Sequence, residues 1–175
     1  MTPTIAVTTH LAGYATQLIG LGAPAAHQSN FLFGPSIADS DVLINAMKNR
    51  AVYPALMLEY PDNNVDYNNQ TGIVETLQFG LSVIAYIPAR DDVYNIADVI
   101  YETCKPLADR VIARLQKDSD TKNLGVPCEF KLQLLRNYNG NWAGPVANNV
   151  YGYRYDINIR VFGSDFSYNA AHWEL

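Results

Sequence analysis

Charge is what this chain has least of. Asp, Glu, Lys and Arg make up 17% of its 175 residues, against roughly a quarter in ordinary soluble globular proteins, so its surface is weakly charged and suited to contact. Basic residues are scarcer than acidic ones, 12 against 17, for a net charge of −5. A protein that grips a nucleic acid needs an excess of Lys and Arg to neutralise phosphates. That class is therefore disfavoured, although a mildly acidic wall would let a polyanion slide past it. Only two cysteines occur, Cys104 and Cys128, and neither stands in a C-x-x-C or Cys/His spacing. Zinc and thiol redox chemistry have no support, and both thiols read as reduced core residues.

Three histidines, His10, His27 and His172, lie too far apart for an H-x-x-x-H or H-E-x-x-H site. Surface exposure or local hydrogen bonding explains each of them, and no metal or cofactor is expected. Long apolar runs are missing as well. Residues 5–21 are interrupted by Thr8, Thr9, His10, Gly13, Thr16 and Gln17 with no basic segment before them, so neither a signal peptide nor a membrane-spanning helix is expected. This predicts a protein made and used in a cytoplasm. Gly20-Leu21-Gly22 lacks the third glycine and the flanking strand of a dinucleotide loop, and reads as a helix stop. Asp91-Asp92 reads as a helix cap, not as a catalytic carboxylate pair.

What the chain does have is 49% apolar residues in segments of recognisable period. One domain is expected, with an N-terminal helix and irregular connection over residues 1–40, an α+β core over 41–163 and an aromatic tail over 164–175. Pro3 opens the first helix, and Gly20, Gly22 and Pro24 stop it. Residues 22–39 read as an irregular connection tucking Phe31-Leu32-Phe33 inward, followed by a short helix through Asn49 capped by Asp39 or Ser40. An apolar run over residues 52–60 makes a first strand, residues 62–72 an exposed polar hairpin loop, and residues 73–87 a second strand with Leu77, Phe79, Leu81, Val83, Ala85 and Ile87 on one face.

The strongest signal is a helix over residues 91–118, in which Val93, Ala97, Ile100, Cys104, Leu107, Val111 and Leu115 draw one apolar stripe. Pro106 removes a backbone bond to the carbonyl of Glu102 and predicts a kink over residues 103–105. Two further strands follow, over residues 127–138 and 151–162, separated by a turn at Asn139-Gly140-Asn141 and a loop over 142–149. The expected architecture is a four-stranded, mainly antiparallel sheet with one long helix packed on one face.

This order of elements resembles the small α+β fold of bacteriophage tail terminator and related tail-completion, or neck, proteins. The matching phrases are Tyr53-Pro54-Ala55-Leu56-Met57-Leu58, the strand over residues 77–87 ending in Pro88, the helix over 91–117, and Gly152-Tyr153-Arg154-Tyr155-Asp156-Ile157, within residues 40–163. The resemblance implies a structural virion protein and not an enzyme. Such proteins are assembled in the host cytoplasm, form rings, commonly hexamers, on the tail tube, and meet the tail tube protein and the head–tail connector. DNA would pass through the lumen without specific binding, and no membrane is involved.

Interface candidates follow from exposed-looking aromatic and polar positions: Trp142 and Tyr138 around the second hairpin, Asn64 and Tyr67 in the polar loop, and Phe166, Tyr168 and Trp173 in the tail. A head-side connector or a sheath-associated adaptor is an alternative within the same class. From another class comes a small ligand-binding or enzymatic α+β domain, its site assembled from His27, Glu59, Asp156 and Arg160.

Overall fold

Apolar side chains at every second position from Leu77 to Ala85 favour an extended chain here, and the sheet is organised around a strand over residues 72–86 that is shared by neighbours along both edges. The computed structural model describes residues 2–35, 50–68, 72–88, 93–124, 131–146 and 149–162. Among these, β1 (Ser29–Gly34), β2 (Ala51–Glu59), β3 (Asp62–Asn68), β4 (Gly72–Tyr86), β5 (Lys131–Leu134), β6 (Asn139–Val146) and β7 (Val150–Phe162) form one sheet. Its order is β1-β2-β4-β7-β5, with β3 also beside β4 and β6 also beside β7. β1 is parallel to β2 and every other pairing is antiparallel. The sheet curls into a half-barrel.

Seven strands in a mixed sheet replace the expected four, while the α+β class stands. The three extra strands were hidden for different reasons. β1 lies in the Gly- and Pro-flanked stretch read as irregular; it forms because Phe31, Leu32 and Phe33 register against Leu56, Met57 and Leu58. β3, almost wholly Asn and Asp, has poor strand propensity, and a full ladder from Asp62↔Gln78 to Asn68↔Gly72 overrides it. β6 starts at the Asn-Gly pair taken for a turn; the chain instead reverses around Asn149, whose φ is +74°. The short helix expected before Asn49, Cys128, the Asp91-Asp92 cap and the aromatic tail fall outside the described residues.

The sheet is built from one device used twice. β2 and β3 run along the same edge of β4 as a single strand broken by a bulge: between Leu58↔Leu81 and Asp62↔Gln78, four steps oppose three. β5 and β6 do the same along β7, where five steps oppose three between Leu134↔Ile159 and Asn139↔Asp156. β4 and β7 pair in the middle from Glu75↔Val161 to Tyr86↔Val150. The bulges bend both outer strands, which suits a curled sheet.

Two helical stretches cover one face. The first, α1 (Pro3–Gln17), starts where the Ile5 N–H donates to the Thr2 hydroxyl. The second runs as α2 (Val93–Asp98), a π-helical turn (Val99–Cys104) and α3 (Lys105–Asp120). The π turn ends just before Pro106, so the ring's conflict with the preceding turn is absorbed by widening the helix. The apolar stripe begins at Ile100 rather than Val93, which is 73% exposed. From there Cys104, Leu107, Val111 and Leu115 pack with Val7 and Leu11 of α1 onto Leu77, Leu81 and Val83 of β4 and Ile157, Ile159 and Val161 of β7. On the opposite face Leu32, Ala55, Met57, Ile84 and Val150 make a smaller apolar cluster.

Candidate functional site

Two polar clusters and one aromatic strip stand out from this frame. The first cluster fastens the helices together. α1 and α3 run antiparallel, so that His10 and Tyr14 reach Asp118 near the end of α3. The Tyr14 hydroxyl donates to Asp118, the His10 Nε2 lies 3.0 Å from the same oxygen, and the Arg114 Nε donates to both carboxylate oxygens at 3.1 Å. Burial alone would raise the Asp118 carboxyl, but the hydrogen bonds from Tyr14, Arg114 and His10 prevail and hold it below its ordinary value. Burial, then the bond to Asp118, pushes Tyr14 well up. Tyr14 and Arg114 donate to Asp118, so the carboxylate fastens the end of α3 to α1. The sequence suggested local hydrogen bonding for His10 but gave no sign of Asp118, two of whose partners, His10 and Tyr14, are over a hundred residues away.

A pH test follows. A depressed carboxyl stabilises the fold above its unfolded value, about 3.9, and the contribution disappears as pH falls through the lower folded value. Asp118→Asn is expected to cost about 2 kcal/mol at pH 7, the scale of hydrogen bonds to a charged group. The gap to wild type should close below about pH 4; urea unfolding of both proteins at pH 7 and pH 3 measures it.

The second cluster occupies the other face of the sheet, at the β2–β3 bulge. Arg154 of β7 donates from Nε and Nη2 to the two oxygens of Glu59, at 2.8 and 3.0 Å, and from Nη1 to Asp156. Glu59 is 4% exposed. Space for its carboxylate comes from Gly80, where a Cβ would lie 2.4 Å from Glu59 Cδ and 2.6 Å from Arg154 Nη2. A polar hollow of about 250 Å³ opens over the cluster, lined by Tyr60, Asp62, Gln78 and Asn158 among others. Of the scattered residues proposed for an enzymatic site, Glu59 and Asp156 are thus brought together by Arg154. His27 sits on an exposed turn with φ +69° elsewhere in the chain, and the Arg160 Nε is buried without a hydrogen bond. Cys104 is fully buried, and burial pushes its thiol up to about 12, leaving it protonated and inert at neutral pH.

The aromatic strip lies along β6 and the π turn. Trp142 is 57% exposed and is the register partner of Tyr153; the Tyr153 ring stands 6.2 Å from that of Tyr101, itself half exposed. β6 has no charged residue, and among the described residues its outer edge pairs with no strand. Tyr138, grouped with Trp142 from the sequence, is half-buried and donates to Gln116 of α3 at 3.1 Å. Asn64 is exposed on β3, and Tyr67 lies on the same strand with its backbone registered to Ile73. Phe166, Tyr168 and Trp173 lie outside the described residues. Among those described, no group of three or more His, Cys, Asp or Glu could hold a metal ion, and no helix is long and apolar enough to cross a membrane.

No protein-family model matches the chain, and no curated protein matches it significantly. Among solved structures it is similar to a chain in the virion of a native gene transfer agent particle, with 18% identity and a TM-score of 0.41 over 73% of this chain and 90% of that one. At that level the likeness carries no argument about what this chain does.

Proposed function

We propose that the chain is a structural subunit of a phage-like virion, and in finer terms a ring-forming tail-completion protein that caps a tail tube and joins it to the neck. The observation carrying this reading is the strip of Trp142, Tyr153 and Tyr101 beside an uncharged strand edge. Aromatic residues are enriched and charged ones depleted at the centre of protein interfaces, and an open edge is a template for another chain unless charge or Pro blunts it. On this edge only Pro145, near the end, does so. The tail-completion role is taken from the resemblance carried by the phrases at residues 53–58 and 152–157, and the acidic balance suits a lumen along which DNA moves without being held.

Light scattering and electron microscopy of the purified protein test the reading. A ring of several copies is expected, and Trp142→Ala with Tyr101→Ala should weaken it at least tenfold, since buried interface Trp and Tyr are the costliest side chains to truncate. A protein that stays monomeric at high concentration and is missing from every purified particle would overturn it.

A further inference from the structure

A groove runs between the end of α1 and α3. Its floor is Tyr14, Leu18 and Val111, its rim Gln17, Arg110 and Arg114, and its volume about 170 Å³. An engineered apolar cavity of about 150 Å³ takes a benzene-sized group, so this groove fits one large side chain and is too small for a nucleotide. The Arg114 Nε is committed to Asp118, with its guanidinium over the Tyr14 ring. Among the described residues Arg110 makes no ion pair and is exposed. An apolar floor with an arginine rim, on a chain whose net charge is −5, calls for an apolar side chain next to a carboxylate.

The chain itself contains such a segment. The thirteen residues after Phe162 include Phe166, Tyr168, Trp173 and Leu175, carry Asp165 and Glu174, and hold no Lys or Arg. Extended at about 3.3–3.6 Å per residue, they span roughly 40 Å, enough to cross a domain whose expected radius of gyration is about 16 Å. We infer that residues 163–175 dock into the α1–α3 groove of their own chain, with Trp173 or Leu175 on the floor and Glu174 against Arg110. Tethering makes the contact intramolecular, at an effective concentration of order millimolar, so a site with a dissociation constant below about a millimolar stays mostly filled.

The full chain tests this. It has two tryptophans, Trp142 and Trp173, so Trp142→Phe leaves Trp173 as the only indole reporter. Its emission should be blue-shifted and shielded from acrylamide. Arg110→Glu should raise the quenching constant several-fold, Glu174→Arg should do the same, and the two together should restore the shielding. Indifference of Trp173 to both single charge changes, or a double variant as exposed as the singles, overturns the inference. Shielding that vanishes on dilution assigns the tail to a second copy and overturns the own-chain docking. None of these outcomes bears on ring formation, which is measured separately by particle mass.

Discussion

Replacing Arg154 by Met is expected to lower the free energy of unfolding by about 3–5 kcal/mol, the usual cost of removing one partner from a buried ion pair. The reason lies in the asymmetry of the site. Glu59 is 4% exposed and Arg154 provides its bidentate contact, so truncation leaves the carboxylate in low dielectric without the guanidinium that neutralises it. The companion change Glu59→Leu in the same chain should recover much of the loss, because replacing both charges by apolar groups is often neutral or stabilising. Denaturant titration of the two single variants and the double variant measures the coupling. If Arg154→Met cost less than about 1 kcal/mol, as a surface pair would, the cluster would be a solvated contact and not a lock on the bulge.

The second large effect is expected at Gly152. There a Cβ would stand 2.3 Å from the carbonyl oxygen of Val83 on the neighbouring strand and 2.9 Å from Ile84 Cγ2. Rotating a side chain cannot relieve a clash with backbone, so Gly152→Ala must push β7 away from β4 near one end of the longest pairing of the sheet. Overpacking typically costs 1–3 kcal/mol, and a rigid obstacle puts this change at about 3 kcal/mol or more. For a chain of this size that corresponds to a fall in Tm on the order of 10 °C, readable by calorimetry. Gly13 is the control: a Cβ there meets nothing within 4 Å, and Gly13→Ala inside α1 should stabilise slightly through helix propensity.

The sequence was most informative where side-chain period and burial coincide. The alternation of β4 and of β7 placed Leu77, Leu81, Ile157 and Ile159 on the face that the helices cover, and the spacing of Cys104, Leu107, Val111 and Leu115 predicted the covering stripe. It was least informative for strands held by backbone pairing alone. β3 has no period to read, because five of its seven residues are Asn or Asp and those over residues 62–66 are exposed, and β6 was hidden by turn-forming Asn and Gly. Both clusters of charged groups were equally hidden, since Glu59 and Arg154 are ninety-five residues apart and no local spacing announces that they meet. Pro106 predicted a kink over residues 103–105, and the structure has a π turn over Val99–Cys104 just before it.

The central pairing of β4 with β7 also sets the order in which the molecule can form. Glu75 must find Val161 and Tyr86 must find Val150, so the middle of the sheet closes only after most of the chain has left the ribosome. Until then the edge of β4 that β7 covers presents unpaired backbone N–H and C=O groups. Such high contact order implies folding in milliseconds to seconds instead of the microseconds open to a helical bundle. During that interval nascent chains crowded on one message are exposed to mispairing with each other.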